Sequence, residues 1–240
     1  MLISGCDVAD DADIEANSDF EPACLDDVSC MQELIGSPHG TIPRNKIHRI
    51  TPQENKTERE IEEMYSHITA MKPTKIVYYY SGHYKRTWEG LYVSSDQGNA
   101  LSFRRLNNFL DSLMPDCTEM WVILDCCSAG TIILIPKLPA NVMPARHHTQ
   151  WCSCMNGGTS VVSKFTNYID SALTNSRVCP NKATSCPACS KFKRSISPEG
   201  HFTWTALEEY VNDHARNCDQ YPKASDLPIF IVNPEPFGLR

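Results

Sequence analysis

Two short stretches hold the groups that could do covalent chemistry. Asp125-Cys126-Cys127-Ser128-Ala129-Gly130 offers a carboxylate and two thiols ahead of a Ser-Ala-Gly turn, and Ser81-Gly82-His83 offers an imidazole. A thiol attacks as its thiolate, and with an ordinary pKa of about 8.5 little thiolate exists at neutral pH. It needs a base beside it, and the same base must later protonate a leaving amine; imidazole titrates where both steps are possible. The developing oxyanion needs a donor, and the backbone amide of Cys127, at a turn after a strand, is one candidate. The pairing implies acyl transfer with Cys127 as nucleophile and His83 as base. Strand alternation aims Cys126 to the other face, so Cys127 is the favoured thiol of the two. The competing readings are an inert buried thiol and a solvated loop histidine.

The elements around these residues must bring them together. Met120-Trp-Val-Ile-Leu-Asp125 and Lys75-Ile-Val-Tyr-Tyr-Tyr-Ser81 are apolar, β-branched and aromatic runs of strand length, the pattern of strands buried in a parallel sheet. Between them, residues 103, 106, 109/110 and 113/114 are apolar at the spacing of one helix face. Strand, helix and strand make two parallel neighbours joined by a crossover. His83 and Cys127 then emerge side by side at the C-terminal edge, where open α/β sheets place their sites.

Tyr-Tyr-Ser-Gly-His and Leu-Asp-Cys-Cys-Ser-Ala-Gly resemble the two site motifs of caspase-like cysteine peptidases, the group of caspases, metacaspases and paracaspases. The His precedes the Cys by 44 positions, against roughly 50 in the caspase signature. Met1-Leu-Ile-Ser-Gly resembles the family's first strand and Thr203 to His214 its late helix, so the resemblance covers nearly the whole chain. It implies an α/β sandwich of about six mostly parallel strands with helices on both faces. It also implies one domain over 1–240, with a large-subunit-like part (1–176), a loop (177–200) and a small-subunit-like part (201–240).

Further roles come from the resemblance alone. The second oxyanion donor is the amide after the His, ordinarily a Gly and here Tyr84, whose side chain crowds a position suited to glycine. Ala23-Cys-Leu-Asp-Asp-Val28 resembles the metacaspase segment at the start of the first helix, with Asp27 matching its acidic residue. Asp27, Ser81 and Asp125 would then line an S1 pocket for Arg or Lys, since carboxylates attract a guanidinium and repel a P1 carboxylate. Caspase-like cleavage after Asp is the alternative specificity, and local hydrogen-bonding roles for both acids are the plainer reading. A catalytically weak or inactive module, favoured by Tyr84, is the alternative function. The metacaspase resemblance also implies programmed cell death. Lys85 to Asn99 is not acid-rich, so no calcium dependence is expected.

Composition agrees with a single soluble α/β domain, at 240 residues, 41% hydrophobic and 21% charged. A net charge of −7 weighs against nucleic acid, whose phosphates call for clustered Lys and Arg. Residues 1–43 hold ten Asp and Glu and no Lys or Arg. The aliphatic runs are too short for a membrane span. No basic, apolar leader opens the chain, which points to the cytoplasm, reduced thiols and a polypeptide as the partner.

Elsewhere the pattern gives a strand at Leu2–Gly5, a polar loop over 7–21 and a helix over Asp26–Ile35. An edge strand over Lys46–Ile50 follows, then a helix opened by the capping box Thr57-Glu-Arg-Glu60. Thr131 to Leu138 is apolar, Gln150–Met155 a strand and Ser163–Leu173 a helix. Arg177 to Gly200 mixes Cys, Pro, Ser and basic residues without periodicity and reads as a loop, structural or cut by the enzyme itself. Thr203 opens a last helix, and Pro228–Val232 is the final strand. Within the loop, Cys179, Cys186 and Cys189, with Cys152-x-Cys154 elsewhere, could hold zinc as thiolates. Irregular spacing and a single CxxC weigh against it, so no metal or cofactor is expected.

Overall fold

The structure is a computed structural model that describes residues 2–5, 20–36, 42–51, 56–82, 84–85, 90–92, 100–127, 129, 147–154, 164–174, 179, 186–198, 204–216 and 229–233. The strands are β1 (Leu2–Gly5), β2 (Arg49–Ile50), β3 (Lys75–Gly82), β4 (Tyr84–Lys85), β5 (Gly90–Tyr92), β6 (Ala100–Ser102), β7 (Glu119–Asp125), β8 (His147–Cys152) and β9 (Ile229–Asn233). The helices are α1 (Phe20–Gly36), α2 (Glu58–Ala70), α3 (Phe103–Leu113), α4 (Lys164–Leu173), α5 (Pro187–Ser195) and α6 (Trp204–Arg216).

The larger sheet runs β2-β1-β3-β7-β8-β9. It is parallel throughout except for β9, which pairs antiparallel with β8. Its two central strands alternate between two cores, as the two-residue period of a strand requires. Ile76, Tyr78 and Tyr80 of β3 and Met120, Val122 and Leu124 of β7 join one core with residues of α2 and α3. Val77 and Tyr79, with Trp121 and Ile123, join the other with α1, α4 and α6. Both faces of the sheet are therefore covered, which explains the continuous apolar runs.

Local chemistry sets several boundaries. Thr57 caps α2 through a complete capping box: its hydroxyl accepts from the Glu60 amide, and its own amide donates to the Glu60 carboxylate at 2.7 Å. Ser102 caps α3 with its hydroxyl alone, accepting from the Arg105 amide. Across the α2–α3 contact Tyr65 and Phe109 stack at 4.0 Å between ring centroids.

The structure departs from the sequence reading at five places, the first being the strand expected over Gln150–Met155, which instead runs His147–Cys152. α1 begins at Phe20 rather than Asp26; Pro22 falls in its first turn, where amides lack helical acceptors and proline is tolerated. The expected strand over Lys46–Ile50 shortens to Arg49–Ile50 behind a 3-10 turn at Arg44–Lys46. A small antiparallel sheet, β4-β5-β6, intervenes between β3 and α3. The segment 177–200, read as a loop, carries the helix α5. Thr131–Leu138 lies outside the described residues. Among those residues no helix is long and apolar enough to cross a membrane.

Phe109 is 4% exposed within this core, so Phe109→Ala should cost about 3–5 kcal/mol. Thr57→Ala, at an exposed cap, should cost only about 1 kcal/mol. Urea denaturation of both variants against wild type checks the ordering.

Candidate active site

The two motif-bearing strands lie side by side. β3 and β7 pair in parallel from Lys75↔Glu119 to Ser81↔Asp125, so the last pair in register joins two residues of the motifs. Gly82 ends β3 and Tyr84 opens β4, with His83 between them outside the described residues. Cys127 follows Asp125 by two positions, in the turn after β7.

The two thiols of the dipeptide occupy different environments. Cys126 is 1% exposed, packed with Cys152 and Cys154 in the core beneath α2 and α3. Burial, and then the neighbouring Cys154 and Cys152, push its thiol well above the ordinary range, so it stays protonated and unreactive. Cys127 is half-buried. The backbone between them is fixed from β8: the Ser153 hydroxyl accepts from the Cys126 amide and donates to the Cys126 carbonyl, both at 3.1 Å. The Ser153 amide donates to the Leu124 carbonyl at 2.9 Å.

On the opposite face, Asp27, Ser81 and Asp125 come together beneath α1 and α4. They are 2%, 1% and 4% exposed. Ser81 Oγ donates to Asp27 Oδ2 at 3.0 Å. Thr166, in the first turn of α4, donates to Asp125 Oδ2 through its hydroxyl at 2.8 Å and its amide at 3.3 Å. That hydroxyl has one proton and gives it to the carboxylate, so the 2.6 Å contact with Tyr79 must be donated by the phenol. Burial first, then the charges of Asp27 and Asp125, hold the Tyr79 hydroxyl well above its usual pKa and keep it a donor. Asp125 thus receives an ordered relay, Tyr79 to Thr166 to carboxylate. Thr166 was not singled out from the sequence; its place in the first helical turn after a strand, where orphan amides and hydroxyls meet an acid, was the available signal.

Three thiols and an imidazole form a second cluster between α5 and α6. The ligand atoms of Cys179, Cys186, Cys189 and His214 all lie within 4.8 Å of one another. Burial and the sulfurs of Cys186 and Cys179 push the Cys189 thiol up to about 12. Cys152 and Cys154, the other thiols considered for a metal, sit instead with Cys126 in the core on the other face of the sheet. None of the described cysteines is in a disulfide. A surface cleft of about 610 Å³ between α2 and α3 lies away from both clusters. Its Arg105 is already paired with Glu58 and Glu62 of α2.

No protein-family model matches the chain, and no curated protein matches it in sequence. Its fold is similar to the crystal structure of caspase-1 from Spodoptera frugiperda, with a TM-score of 0.54 over 95% of this chain and 84% of that one. The two are 11% identical, so the likeness is one of fold. The protein has a caspase-like fold, and its central strands β3 and β7 end in register at Ser81 and Asp125.

Thr166→Val removes the acceptor of Tyr79 and one donor to Asp125 while keeping the volume of the side chain. Polar groups buried this deeply make the change expensive, by about 1–3 kcal/mol. Urea denaturation is the check; a neutral substitution would mean that the relay does not hold this face together.

Proposed function

We propose that the protein is a cysteine endopeptidase in which Cys127 is the nucleophile and His83 the base. The observation that carries this reading is the register of β3 and β7, which ends the two motif strands at paired residues of a caspase-like fold. In this reading His83, two positions after Ser81, meets Cys127, two positions after Asp125, at one edge of the sheet. The sealed environment of Cys126 leaves Cys127 as the thiol of the pair that a substrate can reach.

In the reaction the imidazole takes the thiol proton and sulfur attacks the scissile carbonyl carbon. Backbone amides of Cys127 and Tyr84 receive the oxyanion. The imidazolium returns the proton to the leaving amine as the carbon–nitrogen bond breaks, leaving a thioester. Water, deprotonated by the imidazole, then attacks that thioester and releases the carboxylate product and the thiol.

The buried group of Asp27, Ser81 and Asp125 favours cleavage after Arg or Lys. Two carboxylates in a desolvated site reward an incoming cation and penalise a P1 Asp by several kcal/mol. The partner in this reading is a polypeptide and the compartment is the cytoplasm; a role in programmed cell death follows from the metacaspase resemblance. The second reading, a non-catalytic module that binds a partner, is favoured by Tyr84 in place of glycine.

Fluorogenic peptides differing only at P1 separate these readings. Wild type should hydrolyse P1 Arg and Lys peptides, and Cys127→Ala should abolish turnover. Asp125→Ala should lower kcat/KM on a P1 Arg peptide by about 30-fold or more, equivalent to at least about 2 kcal/mol. Preference for P1 Asp would remove the acidic pocket. Turnover undiminished in Cys127→Ala, or none by wild type on any P1, would remove the peptidase.

A further inference from the structure

Cys179 precedes α5, Cys186 is its N-cap, Cys189 lies in its first turn and His214 lies in the last turn of α6. The spacing is Cys-x6-Cys-x2-Cys-x24-His, and the fourth member is the residue that a search among cysteines alone overlooks. We propose that these four side chains are a structural zinc site that fastens α5 to α6.

The nitrogen–sulfur distances are close to those a tetrahedral ion requires. With zinc–sulfur bonds of about 2.3 Å and a zinc–nitrogen bond of about 2.0–2.1 Å, a tetrahedron has sulfur–nitrogen edges of about 3.5 Å and sulfur–sulfur edges of about 3.8 Å. His214 Nε2 stands 3.7 Å from Cys179 Sγ, 3.4 Å from Cys186 Sγ and 3.4 Å from Cys189 Sγ. All four ligand atoms fall within 4.8 Å of one another.

The imidazole is in the ligating tautomer. Its Nδ1 lies 2.8 Å from the Tyr210 carbonyl oxygen. A carbonyl only accepts, so Nδ1 carries the ring proton and Nε2 presents its lone pair to the three sulfurs. A backbone carbonyl behind a ligating histidine is the ordinary outer support of a zinc site. A cation at their centre would engage all four groups at once.

Two of the sulfurs also lie at a helix N-terminus, which favours the thiolate once a cation displaces its proton. The Cys189 amide donates to Cys186 Sγ at 3.5 Å, and both residues stand at the N-terminal end of α5, where the helix favours anions. Three thiolates with one imidazole select zinc over hard cations such as calcium or magnesium. The need for a clamp is physical. α5 has nine residues, too few to be helical alone, and of its side chains only Ala188 and Phe192 are buried. Phe192 packs against Tyr210 at 4.6 Å between ring centroids, one turn from His214. The site lies between α5 and α6, apart from the ends of β3 and β7, and stands whether or not Cys127 is catalytic.

The test uses the full chain, reduced and purified without chelator, with metal measured by inductively coupled plasma mass spectrometry. About one zinc per chain is expected, with loss to background in Cys186→Ser and in His214→Ala and retention in Cys30→Ser. Wild type stripped of metal and reloaded with cobalt(II) should show thiolate charge-transfer and intense d–d bands of a tetrahedral site, a readout that does not depend on the variants folding. Trypsin should cut α5 at Lys191, Lys193 or Arg194 far faster in the stripped protein than in the zinc-loaded one. Absence of zinc from the reduced wild type together with no uptake on titration, an octahedral cobalt spectrum, or zinc undiminished in His214→Ala would each overturn the assignment.

Discussion

The structure depends on the in-register parallel pairing of β3 with β7. Seven consecutive residue pairs, from Lys75↔Glu119 to Ser81↔Asp125, align the two strands. A slip of one residue would turn each strand's alternating side chains to the wrong core. The register is fixed by burial on both faces. Tyr78, Val122 and Leu124 belong to one core and Tyr79, Trp121 and Ile123 to the other, and none of these large side chains has a solvated alternative. Because the cores hold the register, the strands end level, with Ser81 beside Asp125.

The same alternation divides the polar groups. Ser81 and Asp125 follow Tyr79 and Ile123 by two, so they fall on the side of α1 and α4, where Asp27 and Thr166 receive them. Cys126 falls on the other side and is sealed beneath α2 and α3. A dipeptide of identical residues is thereby split into an inert thiol and a more accessible one, with Ser153 fixing the backbone between them. The carboxylates keep buried positions because hydroxyl and amide donors replace water around them.

Much of this was legible in the sequence because it rests on periodicity and capping. The strands at β1, β3, β7 and β9 and the helices α2, α3, α4 and α6 announce themselves through apolar runs, the 3.6-residue spacing, Thr57 with Glu60, and Ser102. In contrast β8, His-His-Thr-Gln-Trp-Cys, has no such run and starts three residues before the strand expected there. What escaped obeys rules that proline and cysteine obscure. Pro22 and Pro187 sit in first helical turns, where no amide is needed and proline does not mark a helix end. In α5, Ala188 and Phe192 are spaced by four on a buried stripe, but a sulfur N-cap gave no familiar signal. Strands β4, β5 and β6, of two or three residues each, are too short for a period to show. Asp27, Ser81 and Asp125 were grouped by resemblance, yet only coordinates reveal Thr166 and Tyr79 behind them. His214 lies in the late helix, and only the fold carries it across 25 residues of chain to the Cys189 thiol.

The central claim is that strand ends paired in β3 and β7 put an imidazole beside the Cys127 thiol. The most direct measurement is the pH dependence of Cys127 alkylation in wild type and in His83→Ala, followed by mass spectrometry of the modified peptide. A thiol paired with the imidazole should react along a profile inflecting well below the ordinary value of about 8.5, returning to that value in the variant. Superimposable profiles, both inflecting at or above the ordinary thiol value, would contradict the claim.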